Sequence, residues 1–251
     1  TLSAAGSILQ GRHCASRPRV IRPAPSSTLR CLEIAGALMS NGLASSDRFP
    51  AKDIILTRGR IHLLEEMKTL GFAVEQDNRE AVRRSEVILV AVEPQQMDRV
   101  LEEIAPALQP GHHLIISVVT GVKLRQIAQS VGAGIAVVRA MPNTAIAVGE
   151  SMTCIASDKA DGPAIKIAQE IFDTVGKTVV IDEEDMVAAT ALGACGIAFF
   201  LRAIRAASQG GIEIGFRSQD ALAIAIQTAR GAATLLLGSK EHPESEIDRV
   251  T

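Results

Sequence analysis

The chain lacks several features on which common classes of binding protein depend. It contains neither tryptophan nor tyrosine among its 251 residues, so we do not expect a site that stacks bases on several aromatic rings. A formal net charge of −2 provides no electrostatic attraction for nucleic acid or an anionic membrane. No uninterrupted apolar run reaches the roughly 18–20 residues that span a bilayer. We therefore predict neither nucleic acid nor a membrane as a partner.

Closely spaced cysteines are also absent. Cys14, Cys31, Cys154 and Cys195 lie far apart and form no Cys-x-x-Cys pair, whereas zinc sites and redox motifs use short spacings. We predict no metal site, and we interpret the four residues as buried thiols of a protein in a reducing compartment.

Residues 1–32 differ in composition from the rest of the chain. They carry five arginines, three prolines and several serines, and the first acidic residue is Glu33. This composition is typical of a transit peptide and also of a disordered arm. A third interpretation is that a frameshift or a wrong gene start produced the segment. A transit peptide would make the protein organellar; otherwise we expect it in the cytoplasm.

Short apolar runs alternate with amphipathic segments over residues 33–162. The predicted strands are 53–57, 72–74, 87–92, 114–118 and 136–139, and a helix before them is expected to end at Asn41-Gly42. Continuously apolar strands are buried on both faces, as in a parallel sheet that is covered by helices. The pattern predicts a Rossmann-like, doubly wound parallel sheet that binds ligands at the carboxyl ends of its strands.

Over residues 163–251 the strands nearly stop, with one short strand expected at 179–181. The remainder is predicted to be helical, and segments 199–208 and 219–237 are apolar around much of their circumference. A helix of that kind must be buried. We therefore predict a helical domain that packs against a second subunit, with a monomeric helical bundle as the alternative.

Two segments bear on a nucleotide cofactor. Arg58 and Arg60 follow the strand whose end faces the adenosine ribose in nucleotide-binding folds, where a cation pairs with a 2′-phosphate. They favour NADPH over NADH, unless they are ordinary solvated loop residues. The glycine-rich turn that normally holds the pyrophosphate is not found, because residues 26–32 contain neither a glycine nor an apolar strand.

The run Val138-Arg139-Ala140-Met141-Pro142-Asn143-Thr144 carries a strand into a proline turn and then presents an amide and a hydroxyl. Such groups can orient a small polar substrate, although the run could also be only a turn. With the Val-Gly that follows, it resembles the signature of pyrroline-5-carboxylate reductases. Residues 91–94, 189–199, 210–216 and 225–233 also resemble segments of that family, and the match covers roughly residues 33–251.

The resemblance implies reduction of the cyclic imine 1-pyrroline-5-carboxylate to L-proline, as in proline biosynthesis, with NADPH or possibly NADH. It also implies a homodimer or a higher assembly of dimers. The implied cofactor contacts are Arg58, Asn78, Ala91, Val92, Glu93, Pro94, Val118, Val119 and Thr120. The implied substrate contacts are Asn143, Ala194, Cys195 and Gly196, and the last three are expected to open a helix whose N–H groups suit a carboxylate. No catalytic residue is assigned.

The chain departs from the family pattern at both ends. The first strand and the glycine-rich turn are predicted to be absent, replaced by the Arg/Ser/Pro-rich tail, and a Ser-Pro-Gly-Gly-Thr-Thr segment that follows in the family is not among these residues. Glu93 replaces a lysine, and Cys195, Ile197 and Phe199 stand for serine, proline and tyrosine. The predicted organisation is an atypical tail over 1–32, a dinucleotide-binding domain over 33–162 and a truncated helical dimerisation domain over 163–251. An alternative function is a catalytically impaired remnant that acts only as a dimerisation module.

Overall fold

The computed structural model describes residues 29–32, 36–45, 48–158, 162–239 and 241–251. Except for its last four residues, the atypical segment 1–32 lies outside this part of the chain. The interpretations of that segment as a transit peptide, a disordered arm or a frameshift product therefore remain predictions.

One eight-stranded sheet forms the centre of the described structure. Its strands are β1 (Leu29–Leu32), β2 (Ile54–Thr57), β3 (Ala73–Glu75), β4 (Val87–Val90), β5 (Leu114–Ser117), β6 (Ala136–Met141), β7 (Ser151–Ala156) and β8 (Gly176–Val180). Their order is β3-β2-β1-β4-β5-β6-β7-β8, and the first six strands of that order are parallel. This is the strand order of a Rossmann fold, so the predicted fold class is confirmed.

Helices from the first part of the chain cover both faces of the sheet. The α-helices of the described residues are α1 (Gly36–Ala44), α2 (Glu65–Thr69), α3 (Asn78–Arg83), α4 (Met97–Ile104), α5 (Leu124–Val131), α6 (Pro163–Phe172), α7 (Met186–Ala189), α8 (Ile197–Glu213), α9 (Ser218–Ser239) and α10 (Pro243–Asp248). Successive residues of β4 enter opposite cores: Leu89 packs in the core that contains Leu43 of α1 and Phe172 of α6. Val90 packs in the core that contains Leu101 and Ile127. Burial on both faces explains why these strands are continuously apolar.

The first strand is present, so the prediction that it is missing is wrong. β1 lies in the middle of the sheet, and Cys31 pairs in register with Leu56 on one side and with Leu89 on the other. Its sequence, Leu-Arg-Cys-Leu, shows no apolar run. The strand is set by backbone pairing with two buried neighbours, which a local sequence pattern does not reveal.

Gly42 does not end the first helix, as the sequence predicted, because α1 continues to Ala44. The residue is buried, and a Cβ atom built on it would lie 2.5 Å from the carbonyl oxygen of Ile146. Ile146 belongs to a 3-10 turn, Thr144–Val148, that directly follows Asn143. The glycine therefore permits a close approach between the helix and this turn rather than a change of chain direction.

The sheet layer continues beyond residue 162. β7, which the sequence did not predict, runs antiparallel to β6, and β8 pairs parallel with β7. α6 buries Ile165 and Phe172 in the same core as the parallel strands. We therefore propose to place the boundary between the two domains after Val180, rather than at residue 163.

The remaining chain is helical, as predicted, and α8 packs against α9. At Gly211 a Cβ atom would lie 3.1 Å from the Cβ of Ala221, so the two helices approach closely there. Large apolar side chains remain exposed on α8, among them Phe199 at 63 % and Phe200 at 69 %. By length and composition, the helical stretches Glu183–Glu213 and Ser218–Ser239 could each cross a membrane. The expectation that no segment is long enough therefore holds only for uninterrupted apolar runs, although one or two such helices are weak evidence for a membrane span.

Candidate active site

Register places the predicted cofactor segments at one edge of the sheet. Leu32, Thr57, Val90, Ser117 and Arg139 are aligned across five parallel strands. The chain leaves β2, β4 and β5 directly after these residues, and β6 continues to Met141. Neighbouring strands lie about 5 Å apart, so the loops after β4 and β5 lie side by side. Ligands of doubly wound folds bind at this edge.

The predicted cofactor residues occupy two parts of that edge. Arg58 follows β2 and Asn78 begins α3, and both side chains are half-buried. Residues 91–94 follow β4, with Ala91 buried, Val92 half-buried and Glu93 and Pro94 exposed at the start of a 3-10 turn. Residues 118–120 follow β5, with Val118 half-buried, Val119 buried and Thr120 exposed. Residues 91–94 and 118–120 therefore lie next to each other, after the neighbouring strands β4 and β5. Arg58 and Asn78 lie on the other side of β1.

The side chain of Asn143 is engaged by backbone groups. Its Oδ1 accepts a hydrogen bond from the N–H of Ala145 at 3.0 Å, which caps the turn Thr144–Val148. Its Nδ2 donates to the carbonyl oxygen of Gly193 at 3.1 Å. An amide has two N–H donors, so one further donor remains for a substrate. Asn143 therefore connects the end of β6 to the segment that contains Ala194, Cys195 and Gly196.

That segment is a π-helical turn and not the free start of a helix. Residues Thr190–Ala194 form the turn between α7 and α8, and the N–H of Cys195 donates to the carbonyl oxygen of Thr190 at 2.8 Å. The expectation that this N–H is available to a carboxylate is therefore wrong. A Cβ atom on Gly196 would overlap the carbonyl oxygen of Leu192, so the turn requires glycine. Single π-helical turns inside α-helices occur frequently at functional sites.

An ion pair beside this turn was not predicted. Arg139 Nη1 donates to Glu183 Oε1 at 2.9 Å, and the side chains are 8 % and 24 % exposed. The backbone N–H of Leu124, the first residue of α5, donates to the same oxygen at 2.6 Å. A guanidinium this deeply buried needs a partner. An arginine within an otherwise apolar strand was the signal available in the sequence, but it did not identify Glu183.

A cavity of about 520 Å³ joins the two groups of predicted site residues. Its lining includes Thr120 from the cofactor side, Cys195 from the substrate side, and the Arg139–Glu183 pair between them. The other lining residues are Gly121, Lys123, Glu184, Met186, Val187, Thr190 and Ala191. Its size and its mixture of charged, polar and apolar groups suit a small polar molecule beside the end of a cofactor.

The two described thiols lie in contrasting environments. Cys154 is buried in β7 beside Met141 and Met186, and burial raises the pKa of its thiol because the thiolate would lose its hydration. Cys195 is exposed in the cavity, so the prediction that it is a buried thiol is wrong. Of the two, Cys195 is the thiol that a reagent or substrate can reach.

The residues at the end of β2 provide a test of fit for a phosphorylated dinucleotide. The hydroxyl Oγ1 of Thr57 is buried at the edge of the sheet and has no hydrogen-bond partner among the described residues. Arg58 follows it directly and Arg60 lies two residues further on. A cation beside a hydroxyl matches the chemistry of a ribose that carries a 2′-phosphate.

Comparison with known proteins identifies the class. Residues 31–121 match the family described as NADP oxidoreductase, coenzyme F420-dependent, and residues 183–251 match the family described as pyrroline-5-carboxylate reductase dimerisation. Together with the Rossmann sheet and its edge cavity, these matches define an oxidoreductase with a helical dimerisation domain.

The relatives identify the particular family. Pyrroline-5-carboxylate reductase 2 of Dictyostelium discoideum is 41% identical over 232 residues, which cover 86% of this chain and 77% of that protein. The Synechocystis enzyme of the same name is 39% identical over 185 residues, 73% of this chain and 68% of that protein. Reductase 1 of Dictyostelium is 45% identical over 237 residues, and the match spans only 43% of its length. The chain belongs to the pyrroline-5-carboxylate reductase family.

Solved structures agree on the fold. The pyrroline-5-carboxylate reductase of Coxiella burnetii has a TM-score of 0.82 at 26% identity, covering 90% of this chain and 85% of that one. The Plasmodium falciparum enzyme, solved with NADP bound, has a TM-score of 0.79 at 24% identity, covering 90% and 84%.

Proposed function

We propose that this chain reduces 1-pyrroline-5-carboxylate to L-proline with NADPH. The observation that carries the proposal is the position of the run from Arg139 to Asn143. It lies at the ligand-binding edge of the sheet, joined to the π-helical turn by a hydrogen bond, in a chain whose relatives at 39–41% identity are named pyrroline-5-carboxylate reductases. In the reaction, a hydride adds to the imine carbon and a proton adds to the nitrogen.

The dinucleotide would extend along the sheet edge from β2 to β5. Arg58 would hold the 2′-phosphate, with Asn78 nearby, and residues 91–94 and 118–120 would line the remainder. When bound, the cofactor supplies the hydride. The preference for NADPH over NADH is supported by the cations after β2 and by the NADP-bound relative from Plasmodium.

The protein residues would position the substrate and exclude water. Asn143 has one free amide donor for the substrate, and Ala194, Cys195 and Gly196 would form the wall opposite Thr120. Met186 lines the cavity and is itself buried, so its side chain would keep water from the reacting carbon. Correct placement of two reactants accounts for much of the acceleration in such a transfer.

The proposed assembly is a homodimer, alone or within a larger assembly. It is supported by the match of residues 183–251 to a dimerisation domain and by the exposed apolar side chains of α8 and α9. A second copy that packs there would cover these side chains. We further propose a role in proline biosynthesis and a location in the cytoplasm, both from membership of the family.

A titration of the purified chain with NADPH, followed by cofactor fluorescence, tests the proposal. Saturable binding together with imine-dependent loss of NADPH absorbance is the expected result. The alternative is a dimerisation module without catalysis, which is favoured by Glu33 and Ile34 standing where a glycine-rich turn is expected. Dimers without cofactor binding or turnover would support that alternative and contradict the proposed reductase.

A further inference from the structure

One carboxylate oxygen connects three parts of the molecule. Glu183 Oε1 accepts from Arg139 on β6 and from the N–H of Leu124 at the start of α5. Glu183 is also the first residue that matches the dimerisation family. The sheet, the helix beside the cavity and the beginning of the helical domain therefore meet at a single side chain.

Both hydrogen bonds satisfy groups that would otherwise lack a suitable partner. The Arg139 side chain is 8 % exposed, and a buried cation whose partner is removed is strongly destabilising. The residue before α5, Lys123, makes no side-chain capping bond. The carboxylate of Glu183 supplies the cap from a distant part of the chain, and a negative charge is favourable at a helix N-terminus.

A second hydrogen bond to the sheet layer holds the far end of the segment that begins at Glu183. The carbonyl oxygen of Gly193 accepts from Asn143 Nδ2 at 3.1 Å, and between the two ends Met186 is buried against Met141 and Cys154. The stretch from Glu183 to Gly193 is therefore fixed to the sheet at both ends and in the middle. It carries one wall of the cavity and leads directly into Cys195.

We infer that Glu183 is a positioning residue that sets the separation between Thr120, on the cofactor side of the cavity, and Cys195, on the substrate side. The inference rests on the proposed reductase function and assigns Glu183 no contact with the substrate. A displacement of about 1 Å between reacting groups can cost on the order of 10²-fold in rate. Most of the proposed cofactor contacts, those after β2 and β4, are not held by this carboxylate, and Thr120 is one contact among several, so cofactor affinity should be preserved.

The test compares Glu183→Gln with Asp182→Asn. Glutamine keeps the shape and one acceptor oxygen, but its neutral oxygen accepts the two hydrogen bonds more weakly and leaves the buried guanidinium of Arg139 without a compensating charge. Asp182 is the adjacent, exposed acid without a side-chain capping bond, so its variant makes the same change of charge elsewhere. We expect Glu183→Gln to lower kcat at least about tenfold with an unchanged Kd for NADPH, and Asp182→Asn to match the wild type. If Glu183→Gln does not fold, Glu183→Asp is the second variant, because aspartate keeps the charge and shortens the side chain. It should likewise lower kcat without changing the Kd for NADPH.

An unchanged kcat in the folded Glu183 variant would overturn the inference, and so would a loss confined to NADPH affinity. Amide hydrogen exchange at Leu124 and the alkylation rate of Cys195 supply readouts that need no turnover. Faster exchange and an altered alkylation rate in Glu183→Gln support the positioning role; if both match the wild type, it is wrong. A wild-type chain without NADPH binding or turnover would refute the reductase proposal separately, and these two readouts would then decide the positioning role alone.

Discussion

Replacing Gly42 by alanine tests the packing that supports the Asn143 turn. The new Cβ would lie 2.5 Å from the carbonyl oxygen of Ile146, about 1 Å short of an ordinary contact. That oxygen belongs to the backbone of a turn and cannot rotate away, so α1 and the turn must separate. Overpacking of this kind costs about 1–3 kcal/mol. Alanine is better than glycine inside a helix by about 1 kcal/mol, so the expected net loss is up to about 2 kcal/mol.

The control is Gly231→Ala, another glycine inside a helix, where nothing lies within 4 Å of the new Cβ. It should gain about 0.5–1 kcal/mol from helix propensity. Urea unfolding of both variants measures the two effects. If the slope of the unfolding free energy against urea concentration is unchanged, the shift of the unfolding midpoint gives the change in stability. The variants should therefore shift stability in opposite directions, and Gly42→Ala should also lose turnover because the turn that follows Asn143 moves. If Gly42→Ala is as stable as Gly231→Ala, the close approach of α1 to the turn is not a feature of the protein.

Two further predictions concern the thiols and the helical face. In the native protein at neutral pH, iodoacetamide should modify Cys195 before Cys154, because burial raises the pKa of Cys154 and leaves less of the reactive thiolate; peptide mass mapping that shows equal rates would contradict this. Raising the pH towards that pKa should narrow the difference. Phe200→Glu places a charge on an exposed apolar face; because the change occurs in both copies of a dimer, it should weaken association by at least about tenfold. Light scattering coupled to gel filtration measures this, and an unchanged mass at low concentration would argue against pairing through α8.

Much of the architecture could be predicted from local pattern. The runs 87–92 and 114–116 are continuously apolar, and the strands that they form, β4 and β5, are buried along their whole length within a parallel sheet. The run from Arg139 to Thr144 indicated the family before any contact was known. A strand that is buried on both faces needs apolar residues at successive positions, so this kind of burial can be predicted from the sequence.

The features that the sequence did not reveal all depend on distant partners. β1 lacks an apolar run and exists because two buried strands flank it. The sequence around Gly42 predicts a helix stop, whereas the glycine is needed for a close approach to Ile146, a residue that is remote in the chain. The partner of Arg139, Glu183, lies 44 residues away in the chain.

The sequence alone was sufficient for the class of fold and the family, because these depend on residue types and short spacings, and it proposed a set of candidate site residues. The tertiary structure decided which of those residues share a cavity, which amide groups are already hydrogen-bonded, and that Glu183 joins the sheet to the helical domain. Each of these depends on a contact between groups far apart in the chain, and such contacts arise only when the chain folds.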